Sequence, residues 1–209
     1  MPAPRKFTRE QLRTVALAMV DEQGLAALTM RSLASALGTG AMTIYNYVDG
    51  REGLEQLVTE AVMAEARWDD VTGEWSEAVT AVAVGMWRAV RAHPHAIPLI
   101  LTRRSLDPST LATAEALLGA LAHSGRSGTD LLIAFRLVTG FITGSAQSEL
   151  AGPLAEGHGD DPDAATGRVR SLSSERFPHL IAIARAATAS DPEIEFRTGL
   201  RIILTGLAA

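Results

Sequence analysis

The segment between residues 29 and 48 constrains the fold of this chain more than any other. Two short stretches with apolar residues at helical spacing, 30–37 and 41–48, flank a turn that contains Gly38 and Gly40. Two short helices joined by such a turn predict a helix-turn-helix. The apolar residues that would lock these two helices together are Leu33, Ala34, Leu37, Ile44 and Val48.

The flanking residues extend this motif into a small helical domain. Residues 7–23 have helical periodicity, with Thr8 as the expected N-cap of a capping box. Thr29 is a second expected N-cap, and residues 51–67 predict a further amphipathic helix. We therefore expect a helix-turn-helix domain over residues 1–67, with three helices at 7–23, 30–37 and 41–48 followed by the helix at 51–67.

The remaining residues, 68–209, predict a larger helical domain. Helices are expected near 74–92, 96–103, 108–123, 128–150, 175–189 and 191–206. Residues 151–173 are rich in glycine, proline, aspartate and serine, which predicts a loop. No stretch shows the period-two alternation of a strand, so the expected fold class is all-α.

The composition excludes several kinds of site. The 209 residues contain no cysteine, which rules out disulfides, thiolate metal sites and cysteine nucleophiles. The sequence pairs no nucleophile with a base, has no phosphate-binding glycine loop, and does not place its histidines at metal-ligand spacing. We therefore expect no catalytic residues, no metal and no cofactor.

Charge is distributed unevenly between the two predicted domains. The net charge is −5, yet residues 1–51 carry six basic and four acidic side chains, whereas the remainder carries 13 basic and 20 acidic ones. A basic head on an acidic body indicates a polyanionic partner for the head alone.

The second short helix has the composition of a DNA-reading helix. Its outward residues are small, apolar or hydrogen-bonding, so they could approach base edges and thymine methyl groups in a major groove. Arg31 could reach a guanine or a phosphate, and Arg51 and the tyrosines could reach phosphates. The candidate DNA contacts are Thr29, Met30, Arg31, Ala41, Met42, Thr43, Tyr45, Asn46, Tyr47 and Arg51.

Four of these candidates also have a structural interpretation. The tyrosines could be core aromatics, Arg31 a solvated helix residue and Met42 a cover over the helix junction. Arg5, Lys6 and Arg9 could form a loose tail, or an arm that contacts phosphates or the minor groove.

Residues 25–62 resemble the DNA-binding domain of the TetR (tetracycline-repressor-like) family. The family pattern is T-x-R-x-L-A-x-x-L-G, a turn, then T-[IL]-Y-x-[HY]-[VF] and a basic residue. One departure is Asp49, an acid just before the turn into the next helix. The matching positions are Thr29, Arg31, Leu33, Ala34, Leu37, Gly38, Thr43, Ile44, Tyr45, Tyr47, Val48 and Arg51.

The resemblance implies a homodimeric repressor that binds operator DNA and a small-molecule effector. By the same resemblance, the dimer would form through the helices near 128–150 and 191–206, and residues 68–209 would hold the ligand. Arg136 would then be either a dimer-interface ion pair or a ligand-facing charge. The candidate ligand-binding residues are Met86, Trp87, His93, Phe135, Phe141 and Phe177. The aromatic ones could equally be core residues, and His93 a helix-end cap.

Two rival interpretations accompany this one. The chain could be an all-α enzyme, or a helical interaction protein with a non-functional helix-turn-helix. The N-terminus lacks the apolar stretch of a signal peptide, and no uninterrupted apolar run reaches the length of a membrane span. We accordingly expect a cytoplasmic protein with no membrane partner.

Overall fold

The computed structural model describes residues 6–69, 73–102, 106–151, 167, 169, 171–187 and 189–208. The predicted 151–173 loop lies largely outside these residues, as does Arg5. The described part of the chain is helical and contains no strand, which confirms the all-α class.

The helices follow the predicted order, and most of their ends shift by one to three residues. They are α1 (Arg9–Gln23), α2 (Met30–Ala36), α3 (Ala41–Tyr45), α4 (Gly50–Glu65), α5 (Trp75–Ala92), α6 (Ile97–Thr102), α7 (Pro108–Ala122), α8 (Gly128–Ala151), α9 (Pro178–Ala187) and α10 (Pro192–Ala208). Short 3₁₀ turns at Leu25–Ala27 and Pro94–Ala96 precede α2 and α6.

The two predicted N-caps are confirmed. The Thr8 hydroxyl accepts from the amide of Gln11, and the Gln11 side chain accepts from the amide of Thr8. Thr29 and Ser32 form the same reciprocal pair at the start of α2. Each box satisfies backbone donors that the first turn of a helix leaves unpaired, so both helices begin where the sequence predicts.

The last helix of the motif is shorter than predicted. The sequence predicts a helix over 41–48, but α3 ends at Tyr45 and the chain continues in tighter turns. The amides of Asn46 and Tyr47 donate to carbonyls three residues back, at 3.2 and 2.9 Å. The tight path brings Val48 against Gly53 in α4, where an added Cβ would lie 2.8 Å from that of Val48.

The chain folds into two compact units. The first consists of residues 1–67 and 88–116, and the second of residues 68–87 and 117–209. The first unit is therefore larger than the predicted 1–67 domain, because it includes the end of α5, α6 and the start of α7. Its most buried apolar side chains include Leu12, Ala16, Val20, Leu28, Leu33, Ile44, Leu54, Leu57, Val58, Val62, Val90 and Ala96.

The second unit contains α8, the longest helix. By length and composition alone, Gly128–Glu149 could cross a membrane, and 22% of this span is buried inside the structure. The same composition suits a helix whose apolar side packs against another protein surface. Arg136 lies exposed on α8, so the penalty of a buried lone arginine does not arise.

Candidate DNA-binding surface and ligand-binding region

The turn between α2 and α3 is built around Gly38. Its φ of 63° lies in the left-handed region that glycine adopts without a steric penalty. The amide of Gly38 donates to the carbonyl of Ser35 at 3.0 Å, and that of Thr39 to the carbonyl of Ala34 at 2.9 Å. These bonds close the end of α2 and direct the chain into α3.

One face of α3 is exposed and the opposite face is buried. Ile44 packs into the core, whereas Met42 is 76% exposed and Tyr45 and Asn46 are also exposed. Ala41 and Thr43 are half-buried, and the Thr43 hydroxyl accepts a hydrogen bond from that of Thr39 at 3.2 Å. The structure therefore turns Met42, Tyr45 and Asn46 outward together, as a groove-reading helix requires.

The start of α2 adds polar groups to the candidate surface. Thr29 is exposed and Met30 is half-buried. Arg31 is also exposed, and within the described part of the chain its guanidinium has no hydrogen-bond partner. Its charge is therefore available to a phosphate or a guanine.

Tyr47 is placed differently from Tyr45. It is half-buried, and its hydroxyl oxygen accepts a hydrogen bond from the amide of Phe7 at 2.9 Å. The rings of Phe7 and Tyr47 meet edge to face, with centroids 6.4 Å apart. Tyr47 thus anchors the segment that leads into α1, a role that the sequence analysis did not identify.

Arg51 binds acceptors within its own unit. Its Nε donates to Glu55 Oε1 at 2.7 Å, and its terminal nitrogens donate to the carbonyls of Leu28 at 2.6 Å and Leu25 at 3.1 Å. The side chain therefore ties the start of α4 to the 3₁₀ turn before α2. These hydrogen bonds form without DNA, whereas the sequence predicted only a phosphate contact for Arg51.

Arg9 is part of the fold and not a loose arm. Its guanidinium forms a two-pronged ion pair with Glu60 of α4, at 2.8 and 2.5 Å, and Glu60 is only 2% exposed. The hydrogen bond that Arg9 donates to Glu60 raises the pKa of Arg9 against the opposing effect of burial, and the charges of Glu60 and Asp107 raise it further. A planar guanidinium suits this paired geometry. Glu60 was not among the functional residues predicted from the sequence.

His93 lies in the first unit, apart from the other candidate ligand-binding residues. It is buried, with Nδ1 2.8 Å from Asp21 Oδ2 in α1 and Nε2 2.9 Å from Glu65 Oε2 in α4. Both ring nitrogens therefore already have protein partners, which a ligand contact would have to displace. His93 precedes the Pro94–Ala96 turn but makes no side-chain capping hydrogen bond there, so its side chain pairs with carboxylates instead of capping a helix end.

An aromatic stack organises the second unit. The ring of Phe196 in α10 stacks on Trp87 of α5 at 4.9 Å and on Phe141 of α8 at 5.2 Å. Trp87 and Phe196 are almost fully buried, whereas Phe141 is half-buried. Phe196 was not among the ligand-binding residues predicted from the sequence. Its aromatic ring within a predicted helix could have indicated that it packs with the other aromatic residues.

The other ligand-binding candidates also belong to the second unit. Met86 and Phe135 are half-buried. Phe177 is half-buried as well, with the Arg176 guanidinium 5.4 Å from its ring centroid. In the described residues, no group of three or more histidine, aspartate or glutamate side chains is arranged to hold a metal ion.

A capped short helix, a glycine turn and a second helix with an exposed, uncharged face define a helix-turn-helix DNA-binding regulator. The model of the tetracyclin repressor-like C-terminal domain matches residues 69–209. The chain belongs to the TetR family of transcriptional regulators, whose members include repressors, and its all-helical fold agrees with that membership.

Relatives with curated descriptions include two repressors. The HTH-type transcriptional repressor DrrR1 of Streptomyces coeruleorubidus is 30% identical, over 96% of this chain and 77% of its own length. The class A tetracycline repressor protein from transposon 1721 of Escherichia coli is 28% identical, over 97% of this chain and 92% of its own.

Solved structures include a regulator crystallised with and without small molecules. Apo ActR from Streptomyces coelicolor is 30% identical, has a TM-score of 0.77, and aligns over 99% of this chain and 97% of its own. ActR in complex with actinorhodin is 27% identical with a TM-score of 0.78, over 98% of this chain and 96% of its own.

Proposed function

We propose that this protein represses transcription as a homodimer that binds a near-palindromic operator and is released by a small amphipathic ligand. In this proposal residues 1–67 bind DNA, and residues 68–209 bind the ligand and form the dimer. The observation that carries the DNA-binding part is the outward face of α3, where Met42, Tyr45 and Asn46 are exposed together.

In the proposed complex, α3 would lie in the major groove of the DNA. Its exposed side chains carry no charge, so they would read bases through apolar contacts and hydrogen bonds. Arg31 at the start of α2 supplies a positive charge nearby, and Thr29 and Met30 flank it. Two such heads in a dimer would address half-sites about 34–36 Å apart, one turn of DNA, or a multiple of that spacing.

The ligand would bind against the accessible edge of the second unit's aromatic residues. Met86, Phe135 and Phe141 are half-buried, so they can still contact a ligand, and buried Trp87 supports Phe141 through Phe196. An apolar lining with few charges suits a small amphipathic organic molecule. Ligand binding would release DNA only if ligand and operator prefer different states of the dimer, and the coupling is then reciprocal.

The rival interpretations of the sequence are less well supported. The curated relatives are named as transcriptional regulators or repressors, not as enzymes. A regulator that binds the cell's own DNA would work in the cytoplasm, and we propose that compartment for this chain. An apolar side of α8 buried between two subunits would also explain its composition without a membrane.

A mobility-shift experiment on the DNA upstream of this chain's own gene tests the proposal. We expect a sequence-specific complex at moderate salt, since specific sites are bound roughly 10³–10⁷-fold more tightly than random duplex. Equal binding to random duplex would contradict DNA-specific repression.

Variants separate DNA contact from a structural role. Arg31→Ala and Tyr45→Ala should each weaken operator binding about tenfold or more while the protein stays folded and dimeric. The matched control is Arg185→Ala, which removes an exposed arginine from α9 in the second unit. Unchanged operator affinity in both α2–α3 variants would favour the interaction-protein interpretation.

A further inference from the structure

The contacts of His93 require more protons than a neutral ring can supply. Its Nδ1 lies 2.8 Å from Asp21 Oδ2, and its Nε2 lies 2.9 Å from Glu65 Oε2. A neutral imidazole has one N–H group, and an ionised carboxylate can only accept. Two short contacts to two carboxylates therefore need one additional proton in this group of three side chains.

Among the described residues, the side chains of Asp21, His93 and Glu65 form ion pairs only with one another. In α1, the second oxygen of Asp21, Oδ1, is buried and has no hydrogen-bond partner among the described residues. In the 3₁₀ turn, His95 Nδ1 lies 3.1 Å from the carbonyls of Val20 and Asp21, to which it can donate. After α4, Arg67 donates to the carbonyl of Ala66 at 2.9 Å. The ring of His93 is thus the group placed to compensate the Asp21 carboxylate.

We propose that His93, with a proton on each ring nitrogen, is a positioning residue for the DNA-binding motif. It joins the C-terminal turns of α1 and α4, the helices against which α2 packs. Charge-assisted hydrogen bonds are stronger than neutral ones, so the protonated ring holds both helices firmly. The inference rests on the proposed operator binding, because the motif's position matters only if it reads DNA.

Loss of the additional proton should loosen this joint. The ring would keep one donor, and one carboxylate would then face a bare nitrogen lone pair in a largely buried place. Because a buried charge-assisted bond is lost with this proton, operator affinity should be about tenfold higher at a pH where the proton is bound than at a higher pH where it has left.

Glu65→Gln distinguishes this role from simple packing. The glutamine amide can donate to Nε2 while a neutral ring donates from Nδ1 to Asp21, so both contacts persist without the additional proton. This variant should bind the operator equally well at both pH values. The matched control is Glu22→Gln, which neutralises an exposed glutamate beside Asp21 and should keep the pH dependence of the unmodified protein.

The experiment measures fluorescence anisotropy of the full-length protein on a labelled operator duplex at constant ionic strength. Nitrogen NMR of histidine-labelled protein gives the protonation of the His93 ring directly. Two protonated ring nitrogens at the pH of tight binding, with pH dependence lost only in Glu65→Gln, support the proposal.

Two other outcomes would overturn the proposed role of His93 and leave the proposed function unaffected. A single ring N–H at the pH of tight binding overturns it, even if Glu65→Gln fails to fold, because the unmodified protein is measured. The same pH dependence in Glu65→Gln as in the unmodified protein also overturns it. Failure to bind the operator at any pH would instead contradict the proposed function.

Discussion

Arg51 illustrates how one side chain can carry two roles. Its guanidinium already donates to Glu55 and to the carbonyls of Leu25 and Leu28. Arginine has five N–H groups, so a phosphate could still bind the donors that remain. The clamp should contribute to the stability of the protein and the phosphate contact to its affinity for DNA, so the two roles can be measured separately.

Arg51→Ala should lower the free energy of unfolding by about 1–3 kcal/mol, because it removes the donor from partly buried acceptors. If Arg51 also contacts a phosphate, the dependence of log affinity on log salt should become shallower by about 0.9. Urea unfolding and operator titrations at several salt concentrations measure the two effects.

Arg31→Ala is the control for the Arg51 experiment. It should leave stability within about 0.5 kcal/mol, because Arg31 is exposed and makes no clamp. Unchanged stability in Arg51→Ala would show that the clamp contributes nothing.

Met42 is exposed to a degree that folding alone does not explain. At 76% exposure its thioether chain is free to contact a thymine methyl group in the groove. We expect that replacing one thymine of each half-site by deoxyuridine, which removes only the methyl group, weakens binding roughly 3- to 10-fold.

Met42→Ala should lose the same factor and become insensitive to that replacement. Operator titrations with all four combinations of protein and DNA measure this coupling. Additive losses at every thymine would show that Met42 does not contact a methyl group.

At the scale of elements, the packing of α8 against α10 depends on Gly199. A Cβ there would lie 2.6 Å from Phe141 Cζ, within the Phe196 stack. Gly199→Ala should therefore destabilise the protein by about 1–3 kcal/mol through overpacking, and thermal or urea unfolding measures this loss.

The control lies in α7 of the same unit. A Cβ added at Gly119 meets nothing within 4 Å, so Gly119→Ala should raise stability by about 0.5–1 kcal/mol through helix propensity. A stabilising Gly199→Ala would contradict the close approach of the two helices.

Element boundaries show which parts of a helix its own sequence encodes. The starts of α1 and α2 were predictable, because each capping box lies within four consecutive residues. The end of α3 at Tyr45 was not predicted, and beyond it Val48 comes to lie against Gly53 of the next helix. The apolar residues 41–48 alone would support a longer helix.

At the scale of the whole molecule, exposed apolar side chains on α8 and α10 favour the proposed dimer. Ile133 and Leu137 on α8 and Ile194 and Ile202 on α10 are exposed, with Ile202 at 68%. Apolar surface of this kind is commonly covered by a partner.

Ile202→Asp should shift the protein toward monomers and weaken operator binding at least about tenfold, because each head would then bind alone. Sedimentation and operator titration measure the two losses. Leu106→Asp is the control, an exposed leucine between α6 and α7 that should keep the dimer. A dimer that withstands Ile202→Asp and Ile133→Asp would place the interface elsewhere.

The sequence by itself determined the all-α class, the helix-turn-helix and the family, because periodicity, capping boxes and glycine turns involve residues close together in the chain. Only the tertiary structure decided how charged side chains far apart in the chain are paired. Arg9 meets Glu60 across 51 positions, and His93 meets Asp21 across 72. Such partners share no local pattern, since their proximity arises only once the helices have packed. The tertiary structure likewise placed Phe196 between Trp87 and Phe141.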